Sequence, residues 1–366
     1  MSALKRWDIF CKIVDNFGDI GVCWRLARQL RVEHGLQIRL WIDDLEAAKK
    51  IIPSLNVAEN SQVCEEITIL QWHDAGKEDE ADFSQAAEVV IEAFACELPP
   101  AYLAAMVRQQ CKWLNLEYLS AETWVEDFHA KPSPQTNGLT RHFYFPGFTE
   151  ATGGLIRETN IFRRHSDESR NDGQGNALKV SLFCYPNAPI KDLLSALQAN
   201  IHAVSVYVPE CSALSKIADF FEVETISVGD YFTRENLHVH ILPFLSQLDY
   251  DQLLRDCDLN FVRGEDSWIR AIWAGKPFIW QPYFQDENAH IKKLNAFLEL
   301  FYADLNVKET VCEAHSYWSI GQLPKHVWNA YLEHLPAIND YTLQQSQQLA
   351  KQQDLAAKLV IFCNNI

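Results

Sequence analysis

Among its 366 residues the sequence has only 14 glycines, 14 prolines and two methionines. That is too little Gly and Pro for a low-complexity or collagen-like chain. No apolar run approaches the roughly 18 residues a membrane-spanning helix needs. No segment repeats at a period of about 20–50 residues, which excludes solenoids and propellers. The opening stretch, MSALKRWDIFCKIV, lacks the apolar core and cleavage site of a secretory signal. The ten cysteines form no CxxC pair. Scattered over so long a chain, they are expected to be free, mostly buried thiols of a reducing cytosol rather than a disulfide framework. Basic residues are scarce too: 32 Lys and Arg against 49 Asp and Glu leave a net charge of −17. So acidic a surface argues against tracking nucleic-acid phosphates and against docking on an anionic membrane. It leaves room for a local basic site for a phosphorylated ligand.

What remains is an ordinary globular composition, 48% hydrophobic and 22% charged. At about 150 residues per domain, the length predicts two domains. The first half alternates strands (7–14, 36–42, 67–71, 88–93, 112–116) with helical patterns such as Val22, Leu26 and Leu30, which Gly35 would cap, and 100–110. Residues 163–176, RRHSDESRNDGQGN, carry almost nothing apolar and read as an exposed linker. A second series follows, with strands at 178–183, 203–208, 238–244, 259–262 and 277–281. Its helices fall at 189–199, 212–221, 247–256, 266–274 and 286–303. The segment 341–363 reads as one long helix. The expected organisation is α/β: two Rossmann-like domains facing a central cleft, at 1–160 and 177–340, joined by a linker at 161–176. A C-terminal helix, 341–366, packs back on the first domain.

In open α/β sheets ligands bind beyond the carboxyl ends of the strands, so the loops there hold the candidate chemistry. The first is Asp15-Asn16-Phe17-Gly18-Asp19-Ile20-Gly21, after the first strand. A carboxylate there can serve as general base, with Gly18 and Gly21 allowing close backbone approach. Equally, Asp19 can cap the next helix and Asp15 make an Asx-turn. The two acids would repel a pyrophosphate, and no G-x-G-x-x-G follows a strand, which weighs against a dinucleotide enzyme. The second is Arg263-Gly264-Glu265-Asp266-Ser267, between a strand and a helix that Asp266 or Ser267 would cap. Arg263 beside a helix start suits a phosphate, and Glu265 and Asp266 suit sugar hydroxyls; a capped helix with a surface ion pair is the plainer alternative. Weaker candidates are Phe244 and Gln247, whose amide can read a pyrimidine edge, and Tyr185, which either donates to a phosphate or packs. Asp256-Cys257-Asp258 resembles a metal-binding D-x-D but falls at the wrong end of a strand and is expected to be solvated. His238 and His240 share a strand face with no evident third ligand, so no metal is expected there.

Three longer stretches, VDNFGDIGVCWRLARQL near the start, FPGFTEATGGLIRE at 145–158 and FVRGEDSWIRAIWAGKPFIWQPYFQDENAH at 261–290, together resemble the EarP family of protein-arginine rhamnosyltransferases that modify elongation factor P. The resemblance runs over essentially the whole chain. It implies a GT-B architecture, dTDP-β-L-rhamnose as donor, one arginine of elongation factor P as acceptor, and inversion at the anomeric carbon. It carries the catalytic aspartate onto Asp19, with Asp15 as a second essential acid. Tyr185, Arg263, Glu265, Asp266 and Ser267 fall on the diphosphate and sugar site, and Phe244 and Gln247 on the thymine site. Asn16, Phe17 and Gly18 join the donor site as neighbours of these acids. Gln281 and Tyr283 are added from their position in the next loop. Helix amides, Arg263 and Tyr185 can carry the leaving group's charge, so no metal and no further cofactor is expected. Neither nucleic acid nor membrane is expected as a partner, and the expected location is the cytoplasm. The alternatives are another GT-B enzyme, with a lipid or small-molecule acceptor or epimerising a nucleotide sugar, and a non-catalytic nucleotide-sugar-binding protein. The last would tolerate loss of both aspartates.

Overall fold

The computed structural model of the chain describes residues 5–14, 17–73, 83–162 and 177–366. Asp15, Asn16 and the linker at 163–176 lie outside the described residues. The chain divides into two units, 1–161 with 350–366, and 162–349.

The first unit runs β1 (Arg6–Cys11), α1 (Gly18–His34), β2 (Gln37–Ile42), α2 (Leu45–Ile51), β3 (Ser61–Cys64), β4 (Ile67–Gln71), β5 (Val89–Ala93), α3 (Pro100–Gln109), β6 (Lys112–Leu116), α4 (Trp124–Phe128), β7 (Lys131–Pro134) and β8 (Thr140–Tyr144). Its strands lie in the order β3-β4-β2-β1-β5-β6-β8-β7. The interior strands pair in parallel, as with Trp7 against Ile38 on one side and Val89 on the other. Such strands are covered on both faces and so read as near-continuous apolar runs; all five residues of β5 are buried, Glu92 among them. Two edges depart from the all-parallel expectation, because β3 and β7 are antiparallel hairpin partners of β4 and β8. Phe10, Trp41, Trp72 and Tyr102 pack together in the core, Phe10 stacking on Trp41 at 5.1 Å. The fully buried Asp8 is satisfied by Arg39, whose Nε donates at 2.6 Å, and by the Tyr102 hydroxyl.

The second unit runs β9 (Leu178–Leu182), α5 (Ile190–Gln198), β10 (Val204–Pro209), α6 (Leu214–Phe221), β11 (Tyr231–Arg234), β12 (Leu237–Leu242), α7 (Gln247–Asp256), β13 (Leu259–Arg263), α8 (Asp266–Ala274), β14 (Phe278–Gln281), α9 (Ala289–Phe301), α10 (Lys308–Ser319), α11 (Lys325–Glu333) and α12 (Leu335–Leu349). Its strand order is β11-β12-β10-β9-β13-β14, parallel except for the edge strand β11. Trp268 of α8 stacks on Trp280 of β14 with ring centroids 3.7 Å apart, which locks the helix against the sheet.

The single helix expected over 341–363 is two. α12 ends at Leu349, and a new helix, α13 (Leu355–Asn365), starts from Asp354, whose carboxylate accepts from Ala357 N at 2.9 Å. The break lets the last residues join the first unit. There Leu355 N donates to Leu155 O at 2.9 Å, Gln29 Nε2 reaches Asp354, and Phe362 lies against His142 and Tyr144. Gly154 makes the seat. It sits at φ +75°, and a Cβ there would be 2.7 Å from Gln353 O.

Candidate active site

In the first sheet the order reverses at β1, with β2 on one side and β5 on the other. The loops leaving β1 and β5 therefore part at a topological switch point, the usual ligand crevice of an open α/β sheet. The β1 loop leads straight into α1. Its N-cap position is Phe17, not Asp19, and no side chain caps the helix among the described residues. Asp19 lies inside the first turn and is 2% exposed. Its carboxylate turns back on the loop: Val14 N donates to Oδ2 at 2.8 Å and the Tyr118 hydroxyl to Oδ1 at 3.3 Å. The capping alternative for Asp19 is thereby set aside. The same loop is held from the other side, where Ile13 N donates to Asp43 Oδ1 at 2.9 Å. A carboxylate in the first turn also gains from the positive end of the helix. Phe17 and Gly18 are half-buried, Phe17 O accepting from Gly21 N.

The second sheet reverses between β9 and β13; Tyr185 follows β9 and Arg263 to Ser267 end or follow β13, while Phe244 and Gln247 follow β12, Gln281 ends β14 and Tyr283 follows it. Arg263 ends β13. Its guanidinium lies 4.4 Å from the centre of the Phe183 ring and 4.7 Å from that of Tyr185, and donates to Cys184 O at 3.4 Å. Cation–π contacts of this kind hold the group in place. Glu265, rather than Asp266 or Ser267, occupies the N-cap position of α8. Its side chain pairs with Lys293 of α9, both ends being 15% exposed. The Ser267 hydroxyl closes the turn instead, accepting from Arg263 N at 3.0 Å and donating to Arg263 O. Gly264 N donates to Gln281 O at 3.1 Å, and Trp280 Nε1 donates to Gly264 O at 2.7 Å, so β14 braces the turn.

Gln247, at the start of α7, reaches Asp266 Oδ2 at 3.5 Å. The candidate base-reading amide and the candidate sugar-binding acid thus meet. Phe244 is half-buried on the loop before α7. Gln281 is buried, and both ends of its amide are committed: Oε1 accepts from Tyr185 N at 2.9 Å and Nε2 donates to Asn187 Oδ1 at 3.0 Å. It shapes the β9 loop. Tyr283 is exposed and sets its ring edge-on to Tyr185 at 5.8 Å.

Tyr250, Lys293 and Tyr118 join these sites without having been marked by the sequence, and Phe183, part of the Phe183-Cys184-Tyr185 stretch, had no role assigned. Tyr250 packs on Phe183 at 5.5 Å, and burial pushes its hydroxyl well up, so that it stays neutral. Phe183 stands two residues from Tyr185 after the same strand. Lys293 and Tyr118 come from elements remote in sequence from their partners, and no local pattern announces them. The D-x-D acids are half-buried rather than solvated. Asp258 accepts from Lys179 N at 2.9 Å and Asp256 from Gln252 Nε2 at 2.8 Å. His238 bonds the Tyr231 hydroxyl at 2.7 Å. No group of three His, Cys, Asp or Glu side chains among the described residues could hold a metal ion, and none of the described helices is long and apolar enough to cross a membrane.

A pair of α/β units, one offering a carboxylate fixed by donors on both oxygens and the other a guanidinium on an aromatic bed beside a helix start, has the architecture of a GT-B glycosyltransferase. The fold is shared with Acinetobacter baumannii MurG, at TM-score 0.55 and 10% identity over 99% of this chain and all of that one. Over residues 7–364 the chain matches the family of Elongation-Factor P (EF-P) rhamnosyltransferase EarP, and it belongs to that family. It is 43% identical to the protein-arginine rhamnosyltransferase of Pseudomonas putida KT2440, over 98% of each chain. A solved structure from work on EarP-mediated arginine glycosylation of translation elongation factor EF-P is 31% identical. It covers 98% of this chain and 99% of its own, at TM-score 0.66. The chain is accordingly an enzyme of the protein-arginine rhamnosyltransferase class.

Proposed function

We propose that the chain transfers L-rhamnose from dTDP-β-L-rhamnose to one arginine of elongation factor P, in the cytoplasm, with inversion and without a metal ion. The family match across residues 7–364 carries this reading. The geometry supports it: a held carboxylate suits a guanidinium through charge-assisted hydrogen bonds, and Arg263 on its ring bed suits a diphosphate. A guanidinium nitrogen attacks the anomeric carbon, the bond from that carbon to the dTDP oxygen breaks, and the proton lost by nitrogen passes to Asp19. Free arginine stays protonated to a pKa above about 12, so Asp19 orients the guanidinium and takes the proton as the C–N bond forms. Asp15 is the second acid at this turn. Arg263, Tyr185 and the start of α8 stabilise the departing charge. Glu265, Asp266 and Ser267 hold the sugar and phosphates, and Phe244 and Gln247 the thymine. Gln281 serves by shaping the loop that carries Tyr185.

The test is intact mass spectrometry of unmodified elongation factor P incubated with the protein and dTDP-β-L-rhamnose in EDTA. The expected result is a gain of one deoxyhexose on a single arginine. No gain, with dTDP still bound, would overturn the acceptor or the metal independence. No gain and no dTDP binding would overturn the donor.

A further inference from the structure

Three features meet at the carboxyl ends of β5 and β6, beside the β1 loop. The loop after β5 is bent by residues in the left-handed region, Phe94 at φ 56° and Ala95 at φ 52°. Non-glycine residues hold that conformation only where the surroundings enforce it, and such strain clusters at functional sites. Here it is enforced from β6: Phe94 N donates to Leu116 O at 2.7 Å and Ala95 N to Asn115 Oδ1 at 3.1 Å. The bend lays the Phe94 ring on that of Tyr118, with centroids 4.4 Å apart and planes within 12°. Tyr118 is itself anchored next door, where Glu117 N donates to Tyr144 O at 2.9 Å. Its hydroxyl then reaches Asp19 Oδ1.

We propose that Tyr118 is a positioning residue for Asp19, and that Phe94 clamps the Tyr118 ring so that its hydroxyl fixes the rotation of the Asp19 carboxylate. This rests on the reading of Asp19 as the acceptor's base. Val14 N anchors one carboxylate oxygen and Tyr118 the other, so the group is oriented before substrate arrives. A catalytic carboxylate must be held to within a fraction of an ångström by a second layer of contacts. A neutral hydroxyl does this without cancelling the negative charge that attracts a guanidinium.

The test compares Tyr118→Phe, Phe94→Leu, Phe94→Tyr, Asp19→Asn and the Tyr118→Phe/Asp19→Asn pair. The readouts are kcat, KM for the acceptor protein, dTDP affinity by calorimetry, and Tm. Tyr118→Phe is expected to lower kcat roughly tenfold, the scale on which such supporting contacts act, with acceptor KM and dTDP affinity within about twofold of native. In the Asp19→Asn background the same change is expected to cost nothing further, because both changes disable one device. Phe94→Leu is expected to show part of the same kcat loss and Phe94→Tyr to keep the native rate. Native kcat in both Tyr118→Phe and Phe94→Leu would overturn the proposal, as would an equal loss from Tyr118→Phe with and without Asp19. A rise in acceptor KM alone would make Tyr118 a binding residue instead. Native turnover by Asp19→Asn is a separate outcome: it overturns the reading of Asp19 itself.

Discussion

The turn between β1 and α1 and the turn between β13 and α8 are built on one plan. Each follows a central parallel strand, each lies where the strand order reverses, and each sets an acid at a helix start. Each helix ends at a glycine in the left-handed conformation, Gly35 at φ 63° and Gly275 at φ 65°. The chemistry differs in what surrounds the acid. Asp19 is held by a backbone amide and a tyrosine hydroxyl, donors that fix a carboxylate without neutralising it. Glu265 is paired with Lys293, and Arg263 stands two residues before it. The backbone motif thus supplies only a place. On the proposed reading, residues from neighbouring strands and helices decide whether that place receives a cation or an anion.

The sharpest break of this comparison is Asp19→Asn. The amide keeps a carbonyl oxygen for Val14 N but loses the charge and the ability to take a proton. We expect transfer to fall by roughly 10²–10⁴-fold, with dTDP affinity unchanged, since the residues proposed for the thymine and the diphosphate lie in the second unit. Single-turnover kinetics and calorimetry check the two halves. On the other side, Arg263→Ala is expected to weaken dTDP binding by about 10–100-fold, the loss of charge-assisted hydrogen bonds to phosphate. Arg263→Lys should not restore it, because an ammonium lacks the planar, forked donor set that a guanidinium offers a phosphate. If dTDP binds Arg263→Ala as it binds the native protein, the anion-receiving half of the comparison fails.

These two turns were readable in the sequence because a strand, a glycine-bearing turn and a helical period lie in one continuous stretch. Two of the parallel strands were readable for a similar reason: β6, buried from Trp113 to Leu116, and β4, with Ile67 and Ile69 buried, are short apolar-rich runs whose bounds fall where the pattern puts them. The edge hairpin strands were not. β3, β7 and β11 are four residues each, SQVC, KPSP and YFTR, too short and polar to show a period. The break before α13 was also hidden, since residues 350–354, AKQQD, hold neither Gly nor Pro; only tertiary contacts at Leu155 and Gln29 reveal why the helix stops. At the turns, sequence showed which acids and cations were present but not their second layer. Tyr118 and Lys293 act on partners 99 and 28 residues away.

The two units can also be compared by acid. Each holds a histidine whose burial, whole or partial, lowers its pKa. His315 in the second unit is fully buried, with Nδ1 bonded to Val311 O at 3.0 Å, and burial lowers it to about 4 from 6.5. His129 in the first is half-buried and also lowered to about 4, by burial and then by Lys358. A folded value below the unfolded one means that the unfolded chain takes up the proton first. The stability is therefore whole above pH 6.5 and drains away as the pH falls towards 4, by up to about 3 kcal/mol for His315 and less for the more solvated His129. Thermal unfolding between pH 7 and 4.5 should show Tm falling with acid. His315→Gln should flatten that fall whatever it does to Tm at neutral pH; an unchanged slope would remove His315 as its source.

The finest distinction lies at the helix ends. Gly35 and Gly275 share a backbone conformation but not a setting. A Cβ on Gly35 would meet nothing within 4 Å, whereas one on Gly275 would lie 3.0 Å from Leu343 Cδ1. Gly35→Ala therefore isolates the left-handed penalty, about 1 kcal/mol. Gly275→Ala adds a contact, but with the tip of a half-exposed side chain that can swing away. We expect it to cost only a few tenths of a kcal/mol more. Leu343→Ala made together with Gly275→Ala should erase that excess, because nothing is left to collide. Urea unfolding of the four variants, with the single Leu343→Ala as reference, measures all of this. Equal losses at the two glycines would mean that α12 yields completely. A loss at Gly275 several times that at Gly35 would mean that α12 is held rigidly against the end of α8.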